Sequence, residues 1–345
     1  MSTSTAKAQH PETQPIELRN TRGDRVSIMP FGGILSEWEV AVSSGEPVNI
    51  ILGYLHSHSY LKDSAHHGAI AGRYSNRIAH SQFSIGDINY TLAANEGQHH
   101  LHGGPEGFSR RIWAVEEQEK DCLALSLFSP HGDQGYPGNL QVSVRYTLEN
   151  DGALCLDWQA ESDADTIVSL TSHGYFNLAG CGDILEHYLR IPASEYTPVD
   201  NELIPTGEIC SVDGSILDLR KFTRLGDVLS SDAAEIQDGD GLDHNWAGGA
   251  PGDMQLRAEL FSPNTNLLLS LNSTLPGLQC YTGNHLQANG IHGCHEGVCL
   301  EPQYYPDSPN QPAFPSPILR AGEVMRHRIR YQVSKVEADH LLSEN

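Results

Sequence analysis

Two residues in this chain have side chains suited to moving a proton, and each follows a segment predicted to be a strand. His173 follows the apolar, β-branched segment 167–171, and Glu301 follows the short segment 297–300. An imidazole titrates near neutral pH, and partial burial moves the pKa of a carboxyl group toward the same range. The chain has neither a GxSxG motif nor a phosphate-cradling glycine loop, so this pair indicates general acid and base chemistry. A structural His and a paired buried Glu are the alternatives for each residue alone.

Further polar segments, rich in glycine or aromatic residues, interrupt the predicted strands. Asn76 and Arg77 place an amide beside a guanidinium, and both groups can bond hydroxyl or carbonyl oxygens. Asp243 offers an acceptor for sugar-like hydroxyl groups, and the nearby Trp246 offers a ring that can pack on an apolar face. A surface ion pair and an ordinary turn aspartate stay open as alternatives.

Three histidines, His99, His100 and His102, cluster in a segment predicted to be a loop. Clustered imidazoles are one signature of metal binding. However, the chain has no HExxH motif and no CxxC pair, and segment 294–299 has poor ligand spacing for a structural zinc site. We therefore predict no metal site, and a metal-dependent β-barrel enzyme built on these histidines is a remote alternative.

The composition argues against several classes of partner. The 345 residues include 44 acidic and 21 basic side chains, a formal net charge of -23 that repels nucleic acids and anionic membrane surfaces. No apolar run approaches the roughly 20 residues that a membrane helix needs, and the first ten residues lack the apolar core of a signal peptide. The seven scattered cysteines favour reduced thiols. We expect a soluble, cytoplasmic protein.

Alternation of apolar and polar residues dominates the chain and predicts β-strands. Segments 142–148 and 154–158 alternate on either side of Asp151-Gly152, which is typical of a tight hairpin turn. Helix signals are few, with one at residues 223–229. Many strands, short turns and no βαβ rhythm predict antiparallel sheets packed on one another. We expect a flexible tail at residues 1–14 and a single domain over residues 15–345.

Taken together and in order, the polar segments resemble the motifs of the aldose 1-epimerase (galactose mutarotase) family. The resemblance runs from about residue 18 to residue 333 and rests on segments 72–78, 101–104, 171–180, 242–244, 279–284 and 301–303. It implies an all-β fold: a large antiparallel β-sandwich of the galactose mutarotase type, a supersandwich with few short helices. It also implies an isomerase that interconverts the α- and β-anomers of free aldohexoses such as D-galactose and D-glucose.

The resemblance also implies a role for each matching residue. Glu301 is the general base that takes the proton of the anomeric hydroxyl, and His173 is the general acid that protonates the ring oxygen. The residues assigned to sugar binding are Asn76, Arg77, His102, Asp243 and Gln279. The family pattern requires no cofactor and no metal. The implied partner is a small monosaccharide, with no nucleic acid or membrane, and the expected state is a monomer or homodimer.

Two positions depart from the family pattern. Ser172 stands where Asn is common, which is expected to loosen a hydrogen bond beside the acid. His66 and His67 stand where an aromatic residue is more usual, which is expected to change the cavity wall and the preferred sugar. A hexose-6-phosphate 1-epimerase and a non-catalytic carbohydrate-binding β-sandwich are the alternatives. The acidic chain disfavours the first, and the presence of both Glu301 and His173 disfavours the second.

Overall fold

The structure, a computed structural model, confirms the all-β fold class predicted from the alternation. It describes residues 13–42, 45–289 and 291–343. These ranges contain 27 strands and three short α-helices. Among the described residues, no helix has the length and apolar character needed to cross a membrane. The expected tail at residues 1–14 falls mostly on residues 1–12, which lie outside the described residues, so the tail and the single-domain boundaries stay predictions.

The strands in chain order are β1 (Ile16–Arg19), β2 (Arg25–Met29), β3 (Ile34–Val40), β4 (Val48–Asn49), β5 (Ile70–Ala71), β6 (Arg77–Ile78), β7 (Gln82–Ile85), β8 (Ile88–Thr91), β9 (His100–Leu101), β10 (Ala114–Gln118), β11 (Cys122–Ser129), β12 (Leu140–Leu148), β13 (Ala153–Ser162), β14 (Thr166–Ile167), β15 (Thr171–Ser172), β16 (Tyr175–Phe176), β17 (Tyr188–Arg190), β18 (Glu195–Thr197), β19 (Cys210–Ser211), β20 (Thr223–Arg224), β21 (Asp243–Ala247), β22 (Gln255–Ser262), β23 (Leu267–Ser273), β24 (Gly277–Tyr281), β25 (Val298–Gln303), β26 (Ile318–Leu319) and β27 (Val324–Lys335). The helices are α1 (Leu225–Leu229), α2 (Ala234–Gln237) and α3 (Ala338–Ser343). The helix signal at residues 223–229 is confirmed from Leu225 onward, because the two residues before it pair with β17 as strand β20.

The largest sheet has nine strands in the order β10-β11-β12-β13-β27-β23-β22-β17-β20. Its neighbours pair antiparallel, as the sequence predicts. The predicted hairpin joins β12 to β13, and Gly152 supplies the positive φ of +89° that the turn requires. Buried residues alternate with more exposed ones along β12, so one face of this sheet packs on the core and the other faces solvent.

Three sheets share one apolar core. A six-stranded sheet has the order β16-β25-β24-β21-β18-β19, and a four-stranded sheet runs β1-β2-β3-β4. The Tyr331 ring, from the nine-stranded sheet, lies 6.5 Å from the Trp38 ring of the four-stranded sheet and 5.2 Å from the Phe176 ring of the six-stranded sheet. All three rings belong to the same buried cluster. The expected sandwich of packed antiparallel sheets is therefore the observed architecture.

Gly103 sets the turn that follows His102, and its φ of +88° is one that side chains other than glycine rarely adopt. A Cβ added at Gly103 would lie 1.7 Å from the carbonyl oxygen of Gly72, on the neighbouring backbone. Gly97 provides a matched control, because its φ is also positive, at +58°, but an added Cβ would meet nothing within 4 Å.

We expect Gly103→Ala to lower the free energy of unfolding by at least about 2 kcal/mol more than Gly97→Ala. Both substitutions strain a positive φ, but only the first adds a clash with backbone atoms. Urea unfolding of the two variants measures the difference. An equal loss of unfolding free energy in the two variants would show that the close approach of the Gly72 and Gly103 backbones does not constrain this turn.

Candidate active site

An open cavity of about 470 Å³ brings together most of the residues singled out in the sequence. Its wall includes both predicted proton-transfer residues, His173 and Glu301. It also includes most of the predicted sugar-binding residues, namely Asn76, Arg77, His102 and Asp243. Gln279 is not among the lining residues, but its Nε2 donates a hydrogen bond to Asp243 Oδ1 at 2.6 Å. Segments distant in sequence therefore converge on one cavity.

Glu301 lies within a buried central strand, whereas the sequence predicts a strand that ends just before it. The six residues of β25 are all buried, and the strand pairs with β24 over residues 299–303 and with β16 over residues 298–299. Pro302 has no backbone N–H, so the sequence gives no sign that the strand continues through it. In the structure, however, Pro302 pairs in register with Leu278 on β24. Glu301 lies opposite Gln279 in the same pair of strands. Antiparallel pairing of β25 with β24, and of β24 with β21, thus places the Glu301 carboxyl group in the same cavity wall as Asp243.

His173 occupies a break between two short strands, as the predicted strand end requires. β15 ends at Ser172 and pairs with β5, whereas β16 begins at Tyr175 and pairs with β25. The predicted strand over residues 167–171 is only partly confirmed. Ser169 forms only an isolated parallel bridge with Tyr74, in which its N–H donates to the Arg73 carbonyl and its own carbonyl accepts from Ser75 N–H.

Glu301 and His173 face each other in the cavity wall, with His173 Nε2 3.7 Å from Glu301 Oε1. Glu301 is 2% exposed, and its Oε2 has no hydrogen-bond partner among the described residues. Desolvation, followed by repulsion from Asp243, raises the pKa of Glu301 well above its usual value, while Arg77 acts in the opposite direction. Desolvation, followed by repulsion from His66, lowers the pKa of His173 to about 3. Both shifts favour the uncharged forms of the pair, the protonated carboxyl group and the neutral imidazole.

His102 is held in one tautomer by the backbone of the turn before β6. The backbone N–H of Asn76 donates to His102 Nδ1 at 3.1 Å. In the neutral ring the proton is then on Nε2, which makes this nitrogen a hydrogen-bond donor. Desolvation, with repulsion from His66 and His173 next, lowers the pKa of His102 well below its usual value, so the ring is neutral at neutral pH. Asn76 adopts a φ of +65°, and its Oδ1 accepts from Arg77 N–H at 2.8 Å.

Arg77 is fixed by two carboxylates. Its Nε and Nη2 donate to the two oxygens of Glu96 at 2.7 and 2.8 Å, and its Nη1 lies 3.7 Å from Asp243 Oδ2. Burial works against the charge of Arg77, but the attraction of Asp243 and then of Glu96 outweighs it and raises the pKa of the guanidinium. Arg77 therefore remains a cation next to Glu301, where it favours the ionised form of that carboxyl group.

The cavity wall also contains residues that sequence reasoning missed or only partly found. Glu96 carries no local signal, because its role as the partner of Arg77 arises only from the tertiary fold. Tyr175 lines the cavity at the start of β16, two residues after His173. His66 lines the cavity as expected, with its ring 4.9 Å from that of His102. His67 is instead buried beside Asp63, with 3.1 Å between His67 Nδ1 and Asp63 Oδ1.

The histidines at positions 99, 100 and 102, on which the remote metal alternative rests, do not bring their ring nitrogens together as a ligand set. His99 Nδ1 accepts a hydrogen bond from a backbone N–H at 3.0 Å, and His100 is held between a carbonyl and a tyrosine hydroxyl. Only His100 belongs to strand β9, whereas His99 precedes the strand and His102 lies in the turn that follows it.

A different trio has ligand-type atoms that lie within 4.8 Å of one another: His102, His173 and Glu301. The hydrogen bond that His102 Nδ1 accepts from Asn76 opposes metal binding there, since it places the proton on Nε2 and a protonated nitrogen cannot coordinate an ion. The groups fit reversible proton transfer to and from oxygens of a hydroxyl-rich ligand, with one acid, one base, and donors and an acceptor to hold the ligand.

Comparison with known proteins gives consistent matches over nearly the whole chain. The model of the aldose 1-epimerase family matches residues 14–332. A galactose mutarotase from Bos taurus is 38% identical over 318 residues, which cover 90% of this chain and 91% of the relative. An aldose 1-epimerase from Escherichia coli (strain K12) is 36% identical over 336 residues, covering 93% and 96%. The solved structure of a GalM/aldose epimerase homologue from C. elegans superposes with a TM-score of 0.86 at 28% identity, over 93% of this chain and 99% of that chain.

We expect His102 to be neutral at neutral pH, with its proton on Nε2, since burial lowers its pKa well below 6.5 and Asn76 N–H occupies Nδ1. ¹⁵N NMR of histidine-labelled protein measures this, with the His102 signals assigned by their loss in His102→Asn. Equimolar Zn²⁺ should leave these signals in place. Titration of His102 near pH 6.5, or a proton on Nδ1, would contradict the arrangement.

Proposed function

The chain belongs to the aldose 1-epimerase family, and we propose that it interconverts the α- and β-anomers of free aldohexoses with Glu301 and His173 as its proton-transfer pair. Membership of this family makes the protein an isomerase. The observation that carries the residue assignment is the 3.7 Å approach of His173 Nε2 to Glu301 Oε1 in the wall of an open cavity. The unpaired Glu301 Oε2 supports it, because a base must keep a lone pair available for its substrate.

The proposed reaction opens and recloses the sugar ring. Glu301 takes the proton of the anomeric hydroxyl, and the O1–H electron pair forms the carbonyl bond to C1. The C1–O5 bond breaks, and O5 takes the proton from His173 Nε2. Rotation about the C1–C2 bond presents the other face of the aldehyde, and ring closure returns one proton to His173 and takes one from Glu301. Protons therefore balance within the pair over each turnover, and no cofactor is required.

One shared proton suits a reaction that must run in both directions. With the proton on His173, Glu301 is the base and His173 the acid, as ring opening requires. With the proton on Glu301, the same two groups are placed for ring closure. Arg77 lowers the pKa of Glu301, whereas desolvation and Asp243 raise it, so opposing influences act on the carboxyl group. Such a balance favours proton exchange in either direction.

The remaining wall residues are placed to bind the sugar. His102 Nε2–H and the Asn76 amide are the proposed donors to ring and carbonyl oxygens, and Arg77 is the proposed source of positive charge beside the reacting atoms. Asp243 is the proposed acceptor for hydroxyl groups. Gln279 contributes through Asp243, to which it donates at 2.6 Å, and its own contact with a hydroxyl stays a prediction. His66 lines the same wall and is proposed to influence which sugar is preferred.

The charges of the cavity favour a free sugar over a sugar phosphate. Arg77 is the one lysine or arginine among the described residues of the wall, and Glu96 already holds two of its nitrogens. A phosphate group calls for cationic donors that are not already paired. The cavity wall also carries acidic residues, which repel phosphate. The preferred sugar, a cytoplasmic location and a monomeric or dimeric state all stay predictions.

We expect Glu301→Gln and His173→Asn each to lower kcat for galactose at least about 100-fold, because each removes one proton-transfer group from the transition state. Polarimetry of freshly dissolved α-D-galactose and α-D-glucose measures turnover. Glu296→Gln is the matched control, since Glu296 pairs with His292 and does not line the cavity, and it should change kcat less than twofold. Asp243→Ala should raise KM, because it removes the proposed acceptor for hydroxyl groups, and should also change kcat, because Asp243 raises the pKa of Glu301.

Near-normal turnover in either proton-transfer variant would remove that residue from the mechanism. No acceleration by the unaltered protein with either sugar would overturn the proposal and favour a carbohydrate-binding protein or an unusual sugar.

We expect kcat/KM to show no acid limb between about pH 5 and pH 7 and to fall on the alkaline side. A second proton joins the pair only near the His173 pKa of about 3, so mild acid leaves one acid and one base in place. Loss of the pair's one proton at high pH leaves two bases and no acid. A pH profile by polarimetry, corrected for the buffer-catalysed rate, tests this. An acid limb centred near 6.5 would show that burial does not lower the pKa of His173.

A further inference from the structure

We propose that Cys299 is the positioning residue for His173, because its sulfur accepts a hydrogen bond from Nδ1–H and leaves Nε2 as the nitrogen that exchanges a proton. This inference rests on the proposed function, since it assigns a partner to the general acid. Cys299 Sγ lies 3.4 Å from His173 Nδ1, whereas His173 Nε2 lies 3.7 Å from Glu301 Oε1. The two ring nitrogens therefore have different neighbours.

A single strand supplies both neighbours. Cys299 and Glu301 are two residues apart on β25, so their side chains lie on the same face of the sheet. Tyr175, two residues after His173, is the register partner of Cys299 on β16. The Tyr175 hydroxyl donates to the Ala65 carbonyl at 3.0 Å. Strand register thus holds the thiol against Nδ1 while it holds the carboxyl group near Nε2.

Proton balance requires an acceptor beside Nδ1. An imidazolium carries a proton on each nitrogen, and after Nε2 gives its proton to the ring oxygen the neutral ring retains Nδ1–H. The group beside Nδ1 therefore faces an N–H throughout the cycle and must accept a hydrogen bond. A thiol sulfur has lone pairs and is a weak acceptor. A thiol that instead donated to Nδ1 would place the proton on Nε2 and leave the neutral ring unable to take one there.

The neutrality of the sulfur matters as well as its position. Burial raises the pKa of the Cys299 thiol well above its usual value, so it stays uncharged. A carboxylate in this place would stabilise the imidazolium and make His173 a weaker acid, as in catalytic triads. A buried neutral sulfur orients the ring without that effect, which suits a group that must release its proton readily.

The test compares Cys299→Ala, Cys299→Ser and Cys280→Ala. Cys280 is a matched control because it is also a buried cysteine, on the neighbouring strand β24, opposite Leu300 in register. We expect Cys299→Ala to lower kcat about 10-fold with KM unchanged, since it removes the orienting contact but no group that touches the sugar. Cys299→Ser should retain most of kcat because a hydroxyl also accepts. Cys280→Ala should stay within about twofold.

A second readout does not depend on turnover. In ¹⁵N NMR, His173 of the unaltered protein should show its neutral proton on Nδ1, and Cys299→Ala should give a mixture of tautomers. Equal losses of kcat in Cys299→Ala and Cys280→Ala, or a neutral His173 with its proton on Nε2, would overturn the proposal. If Cys299→Ala does not fold, Cys299→Ser and the NMR of the unaltered protein still decide. A lack of mutarotation by the unaltered protein is the separate result that would refute the proposed function.

Discussion

Desolvation of the Glu301 carboxyl group is the constraint on which the rest of the site depends. A carboxylate buried with an unfilled hydrogen-bonding oxygen is costly, so the group takes up a proton unless nearby charge opposes this. Arg77 supplies the opposing charge, and Asp243 moderates it. Glu96 in turn fixes Arg77 by two hydrogen bonds. Arg77 and Asp243 directly, and Glu96 through Arg77, therefore act on the proton affinity of one carboxyl group.

The same burial acts in the opposite direction on the imidazoles. His66, His102 and His173 lie close together, and desolvation is the largest cause of the lowered pKa of each ring. Neutral rings can serve as specific donors or acceptors once the surrounding structure selects a tautomer. The backbone N–H of Asn76 does so for His102. Charge and tautomer are thus set by different features, burial for the first and hydrogen-bond geometry for the second.

The sheets provide the rigidity that such a site needs. A polar group without a partner lowers stability, and the cost is tolerable only where the surrounding core is well packed. β25 is buried along its whole length, and it pairs with β24 over residues 299–303 and with β16 over residues 298–299, so the backbone that carries Glu301 is held within the sheet. The shared core, in which Trp38, Phe176 and Tyr331 join three sheets, holds that strand in place. The unpaired carboxyl oxygen in the cavity lowers the stability of the protein, and the burial of apolar side chains elsewhere in the sandwich compensates for this loss.

Much of the fold and part of the site followed from local patterns in the sequence. Alternation indicated strands, Asp151-Gly152 indicated a hairpin, and polar residues at breaks in the alternation indicated His173 and Asp243. These signals are local, because a side chain's face and a turn's φ depend on neighbouring residues. The continuation of β25 through Pro302, the bond from Glu96 to Arg77, the support of Asp243 by Gln279 and the contact of Cys299 with His173 were decided only by the tertiary structure. Each depends on the register between segments far apart in the chain, and hydrogen bonds and desolvation arise only when that register brings the groups together.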